Sequence, residues 1–305
     1  MKVSVFGAGN MGARIAEVFL KAGHAVTMID IKEQFCEGGK KRIEGDLAGA
    51  VKRGKMTQEE MDAALANLTL SINRQDAAGS QFVMEVILER MDLKEDLLKD
   101  LDAILDKDCI IGTNTSALSI TEIASAVPAR AAKVIGVHFF NPAHIMKLVE
   151  VTRSMLTDDE TFKTTYELMQ TLGKTPIAVN EGAGFVVNRI LIPMINEAIG
   201  IYADGIASPS DIDLAMQLGA GLRSGPLHTG DLVGHDVNLA IMETLYRESG
   251  DAKYRPHPLL KKMVRAGLLG QKTGKGFFTY DGPFGKEIPG GDLTIKLSTV
   301  DRKRR

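Results

Sequence analysis

The sequence predicts an α/β chain: a doubly wound domain with a parallel sheet, followed by an all-α C-terminal domain. Three observations predict it. Strand-like apolar runs alternate with amphipathic helical segments from residue 3 to about residue 179. A glycine-rich turn follows the first of those runs and opens a helix. Beyond Gly184 strand signals stop, and helices separated by Gly and Pro run to about residue 270.

The 305 residues exceed one core of ordinary size. The expected division is 1–183, 184–280 and a tail, 281–305, read as a disordered or added extension. A net charge of −2 supplies no field for nucleic acid. Two cysteines, Cys36 and Cys109, make no disulfide framework and fit a reducing compartment, so a cytoplasmic protein is expected. The N-terminal apolar run is too short for a signal peptide, no run reaches membrane-spanning length, and no membrane partner is expected. No metal site is expected either.

Val3-Ser-Val-Phe6 reads as a buried strand, and Gly7-Ala-Gly-Asn-Met-Gly12 opens a helix in which Met11, Ile15, Val18 and Phe19 keep helical spacing. Gly7 permits the tight turn, Gly9 lets the backbone approach a pyrophosphate, and Gly12 allows close helix packing, as in a Rossmann-type dinucleotide site. A second strand, 25–29, ends in Asp30, placed to bind the ribose hydroxyls of an adenosine. A carboxylate there disfavours a 2′-phosphate, so NAD(H) is expected over NADP(H), with Lys32 the one contrary residue.

Ile43, Leu47 and Val51 mark one amphipathic helix, and Met61, Leu65 and Leu68 a second that Thr57 and Glu60 cap. Between them Lys52-Arg-Gly-Lys55 is a basic hinge, by itself either a solvated helix end or a contact for a phosphorylated substrate. Strands follow at 68–72 and 82–86, with Glu85 and Glu89 at the end where a parallel sheet presents its crevice. A helix from Asp92 carries Lys94 in its first turn, and the strand 109–111 runs into Gly112-Thr-Asn-Thr-Ser-Ala117.

In Gly136-Val-His-Phe-Phe-Asn-Pro-Ala-His-Ile-Met-Lys-Leu-Val-Glu150, two apolar runs joined at an Asn141-Pro142 turn carry His138 and Glu150. A carboxylate on one ring nitrogen fixes the tautomer and frees the other nitrogen for a proton, so the pair reads as a base and its orienter; the alternative is a satisfied core histidine. After a helix at 158–172 and a strand at 177–179, a long apolar helix spans 185–203 with Asn188 in its first turn. So apolar a helix needs further cover, which suggests a homodimer.

On Gly7-Ala-Gly-Asn-Met-Gly12, Thr113-Asn-Thr-Ser116, Val137-His-Phe-Phe-Asn-Pro142, Lys147-Leu-Val-Glu150, Gly184-Phe-Val-Val-Asn-Arg189 and Gly274-Lys-Gly-Phe277, the chain resembles the short-chain L-3-hydroxyacyl-CoA dehydrogenases, most of all their bacterial 3-hydroxybutyryl-CoA branch. The resemblance implies an NAD-binding domain, a helical dimerisation domain and a substrate cleft between them. It implies His138 as base, Glu150 as its partner, Asn188 as a substrate-binding amide, and Glu89 and Lys94 near the nicotinamide. Asn10, Met11 and Asn114 join the cofactor set with Gly7, Gly9, Gly12 and Asp30. Lys52 and Lys55 are assigned to coenzyme A, against the bland reading of the hinge, and Ala117 and Asn141 to the substrate.

The family reading has Asn-Thr-Ser-Ser, with the second serine donating to the C3 oxygen; this chain has Ala117 there. Neighbouring side chains on an extended backbone point apart, so Ser116 is expected to replace it only weakly, and turnover to be reduced. Gly219-Ala-Gly-Leu-Arg-Ser-Gly-Pro226 also departs from the family and is expected to reshape a pocket wall. The expected activity is hydride transfer between NAD(H) and C3 of a short-chain 3-hydroxyacyl-CoA. The alternatives are a gulonate-type sugar-acid dehydrogenase and an NAD- and CoA-binding relative without turnover.

Overall fold

A short apolar run forms a central strand when both of its faces are covered, and Lys2–Phe6 (β1) is buried from Val3 onward. The computed structural model describes residues 1–294, and the chain divides into Met1–Val186 and Val187–Arg305. In the first unit β1 pairs in parallel with Ala25–Ile29 (β2) on one side and Phe82–Glu85 (β4) on the other. The full sheet also includes Leu68–Ser71 (β3), Ile110–Thr113 (β5), Val134–Phe139 (β6), Leu148–Arg153 (β7) and Thr175–Asn180 (β8). Its order is β3-β2-β1-β4-β5-β6-β7-β8, and only β6 and β7 pair antiparallel. The chain leaves β1 outward through β2 and β3, then returns to its other side as β4. That reversal opens a crevice beyond the carboxyl ends of β1 and β4.

Side chains alternate across a strand, and the core divides accordingly. Val3, Val5, Phe82 and Met84 pack with Ile15 and Phe19 of Asn10–Lys21 (α1) and Ile43 and Leu47 of Glu33–Lys52 (α2). Phe6 and Val83 pack with Leu97, Leu98 and Leu101 of Met91–Ile104 (α4) and Ile123 of Ile120–Ser125 (α5). Gln58–Ala66 (α3) starts with the capping box read from Thr57 and Glu60, and Leu68 belongs to β3. Asp159–Thr171 (α6) leads into β8. Short α5 was not legible, because six residues carry too little periodicity.

The second unit holds Val187–Ala203 (α7), Pro209–Ala220 (α8), Pro226–Val233 (α9), His235–Ser249 (α10) and Pro258–Arg265 (α11). The unusual 219–226 stretch is the turn from α8 to α9, with Gly221 at φ 71° as C-cap and Gly225 as N-cap. Buried Asp231 is the polar centre of this unit. It accepts the Phe277 and Phe278 amides at 2.9 and 3.0 Å and the Tyr280 hydroxyl at 2.9 Å, and pairs with His235 at 2.7 Å.

The expected loose tail is corrected for residues 281–294. The Leu293 amide donates to the Phe277 carbonyl at 2.7 Å, Tyr202 donates to the Leu293 carbonyl at 2.6 Å, and Ser210 donates to Asp292 at 2.8 Å. A Gly- and Pro-rich stretch lacks periodicity, but its backbone groups still find partners. The basic run 301–305 lies outside the described residues.

His228 joins this segment to the helices. Its Nδ1 lies 2.6 Å from Asp213 and its Nε2 2.6 Å from Glu287. Burial opposes its charge, but the hydrogen bonds and charges of Asp213 and Glu287 outweigh that and hold its pKa at about 9. A raised folded-state pKa contributes stability that is complete below the unfolded value, about 6.5, and is lost as pH rises through the folded one. The expected result is a Tm that falls from about pH 6.5 to about 9 in the parent and less in His228→Gln; matching pH slopes in the two proteins would refute it.

Candidate active site

His138 and Glu150 are direct register partners on the antiparallel β6–β7 pair. Facing residues there share a side of the sheet with Cβ atoms about 5 Å apart. The imidazole Nδ1 therefore meets Glu150 Oε2 at 2.7 Å, with His138 5% exposed and Glu150 fully buried. The other carboxylate oxygen accepts the Val186 amide at 3.0 Å. With Nδ1–H donating to the carboxylate, Nε2 is left as the acceptor. Phe140 and Phe185 flank the ring at centroid distances of 4.6 and 5.6 Å. Phe185 adopts φ 50°, a left-handed conformation that costs an aromatic residue about 1–3 kcal/mol and is held by the packing around it.

Nε2 faces the Ser116 hydroxyl at 3.2 Å. This overturns the expectation that Ser116 is poorly directed. Side chains alternate only on extended backbone, whereas the segment after β5 curls around Glu89. Glu89 Oε1 accepts the Thr115 hydroxyl at 2.6 Å and the amides of Ser116 and Ala117 at 2.7 and 3.2 Å. Ala117 contributes its amide to that turn, and the hydroxyl at the imidazole comes from Ser116.

Glu89 is held in turn. Its Oε2 lies 3.4 Å from Lys94 Nζ, and Lys94 donates to both oxygens of buried Glu85 at 2.7 and 2.9 Å. Thr113 also donates to Glu85, at 2.5 Å. Lys94 is 1% exposed, so its ammonium is enclosed behind Glu89 and is not a lining group. Breaking such a buried pair costs about 3–5 kcal/mol.

A cavity of about 1000 Å³ lies at the carboxyl ends of β1 and β4, lined by Gly7, Gly9, Asp30, Arg42, Glu89 and Asn114 among others. Gly7 has φ 102°, and a Cβ there would sit 2.4 Å from the Val86 carbonyl oxygen; one on Gly12 would sit 1.8 Å from that of Gly7. A Cβ on Gly9 meets nothing within 4 Å, which leaves room beside an α1 N-terminus that no side chain caps. Uncapped helical amides facing open space suit a phosphate. Asp30 accepts the Ala8 and Ile31 amides, both at 2.7 Å, closing the turn while still lining the cavity. These residues fit a dinucleotide.

Comparison with known proteins agrees with this geometry. Residues 2–182 match the family model described as 3-hydroxyacyl-CoA dehydrogenase, NAD binding domain, and residues 184–280 match 3-hydroxyacyl-CoA dehydrogenase, C-terminal domain. The chain belongs to the 3-hydroxyacyl-CoA dehydrogenase family. It is 48% identical to the 3-hydroxybutyryl-CoA dehydrogenase of Clostridioides difficile over 92% of this chain and all of that one. It is 38% identical to the human mitochondrial hydroxyacyl-coenzyme A dehydrogenase, covering 91% and 90% of the two chains. The crystal structure of the (S)-3-hydroxybutyryl-CoA dehydrogenase of Ralstonia eutropha matches with a TM-score of 0.88 at 42% identity, over 92% of this chain and 99% of that one.

The remaining expected residues of this 3-hydroxyacyl-CoA dehydrogenase are placed as follows. Asn10 and Met11 both line the cavity, and the Asn10 side-chain amide also donates to Asn141 at 3.2 Å. Asn114 lines the cavity too and accepts the Phe139 amide at 2.9 Å, tying the end of β5 to β6. Lys52 and Lys55 are exposed at the end of α2, and Asn188 is half-buried in the first turn of α7 in the second unit. Sequence reasoning missed Thr115, Phe185 and the enclosure of Lys94. One signal was available for the last: Lys94 shares the α4 face of Leu97, Leu98 and Leu101, and a lysine on an apolar face requires a buried carboxylate.

Proposed function

We propose that the chain interconverts a short-chain 3-hydroxyacyl-CoA and its 3-ketoacyl-CoA, with 3-hydroxybutyryl-CoA and acetoacetyl-CoA as the pair. The observation that carries this is the line Ser116 to His138 to Glu150 in a chain whose first unit is built to hold NAD(H). NAD(H), when bound, accepts or returns the hydride at C3. His138 Nε2 takes the C3 hydroxyl proton in oxidation and returns it in reduction. Glu150 holds the tautomer and stabilises the imidazolium, and Ser116 donates to the same substrate oxygen. Asn188 and Asn141 hydrogen-bond the substrate. NADH-dependent reduction of acetoacetyl-CoA tests the proposal; turnover of a gulonate-type sugar acid in its place would overturn it.

Lys52 and Lys55 hold the coenzyme A phosphates. In the Lys52→Ala/Lys55→Ala double variant the KM for acetoacetyl-CoA is expected to rise about 10-fold with kcat unchanged, and the effect to shrink at high salt. An unchanged KM removes the hinge from substrate binding. The helical unit forms a homodimer in this reading, supported by exposed Ile190, Ile206, Leu214, Leu218 and Leu232. Two buried, free cysteines support a cytoplasmic location. No helix among the described residues is long and apolar enough to cross a membrane.

A further inference from the structure

Three ionisable side chains from separate elements of the first unit converge away from the dinucleotide cavity. They are Glu17 of α1, Asp46 of α2 and His144 of the β6–β7 connection, and one ligand-type atom from each lies within 4.8 Å of the other two. Glu17 is 1% exposed, yet its Oε2 has no hydrogen-bond partner among the described residues. The buried His144 Nδ1 also lacks one. A buried carboxylate oxygen and a buried ring nitrogen left without partners are each costly, and a single ligand between them satisfies both.

We propose that Glu17, Asp46 and His144 bind a divalent cation of the zinc class, which fastens α1 and α2 to the connection that follows the His138 strand. One imidazole nitrogen with two carboxylate oxygens suits Zn²⁺ and its neighbours, whereas Mg²⁺ and Ca²⁺ prefer oxygen alone. Ligand atoms about 2.1 Å from a tetrahedral ion lie roughly 3.4 Å apart, so atoms within 4.8 Å of one another need close by at most about 1.4 Å. Burial holds the His144 imidazole below its ordinary pKa, which keeps the ring neutral with a lone pair to give.

Nearby cations set the expected strength. Arg14 Nε lies 3.0 Å from Asp46 Oδ2, and Lys21 Nζ lies 4.0 Å from Glu17 Oε1. Lys174 donates to the carbonyls of Ala143 and Met146 at 2.5 and 2.9 Å. These charges balance the carboxylates when no ion is bound and lower the affinity of the site for a cation. The sequence contains no metal-ligand spacing because the three ligands sit on different elements.

The test uses the full chain, stripped with a chelator and titrated with Zn²⁺ and then Co²⁺ at about pH 8. Expected are one ion per chain, a raised Tm, and the visible absorption of cobalt in a low-coordinate site. Glu17→Gln and His144→Ala are each expected to weaken binding at least about 100-fold, while His24→Ala, at a half-buried histidine outside the cluster, leaves it unchanged. If Glu17→Gln fails to fold, His144→Asn on the connection gives the same readout. Absence of binding in the parent, or parent-like binding in the folded variants, overturns the proposal. Steady-state turnover of the parent, measured separately, leaves the dehydrogenase reading standing whichever way the ion test falls.

Discussion

His138→Gln is expected to lower kcat for acetoacetyl-CoA reduction by on the order of 10²- to 10⁴-fold, with NADH affinity changed less than about 3-fold. Glutamine keeps roughly the volume of the imidazole and can still donate to Glu150, but it cannot take up and release a proton at the position of Nε2. The loss therefore reports proton transfer more than collapse of the β6–β7 pair. NADH affinity is the control because His138 does not line the dinucleotide cavity. If the variant keeps kcat, histidine leaves the mechanism.

Ser116→Ala is expected to lower kcat by about 10²- to 10³-fold, the size of effect seen when one oxyanion donor is lost. Ala117→Ser is expected to change it less than about 3-fold, because the residue at 117 serves Glu89 through its amide, which serine retains. The two variants together separate the readings. A large gain in Ala117→Ser beside a silent Ser116→Ala would restore position 117 as the donor and leave the short contact to Nε2 without a role. The pair also decides whether the chain is a weakened enzyme. With Ser116 in place, the missing second serine gives no reason to expect one.

What was legible in the sequence was local or periodic. The glycine fingerprint, the acid at the end of the second strand and the Thr57 capping box each lie within a few residues, and the doubly wound order follows from alternation of strand and helix. His138 and Glu150 could be paired because a single turn joins their runs. What was not legible depends on groups distant in the chain. The direction of Ser116 is set by Glu89, on a different connection; the burial of Lys94 against Glu85 is the exception, a local pairing whose signal was the apolar face of α4. Residues 281–294 carry no periodic signal, and their anchorage comes from Tyr202, Ser210, His228 and Phe277.

The His138–Glu150 pairing also determines which changes of length the chain tolerates. The two residues meet because they are opposite each other in an antiparallel ladder, so their contact depends on strand parity. One residue inserted within either strand between its reactive group and the rest of the ladder turns a side chain to the other face of the sheet and ends the contact. The connection between the strands carries no such constraint, and lengthening or shortening it leaves the ladder partners matched. Length variation in descendants of this chain is therefore expected to be absent from the strands, while in the connection the limits are set by Asn141 and His144 and not by the ladder. A transplant of the pair onto another sheet must copy the register, while the loop can be replaced.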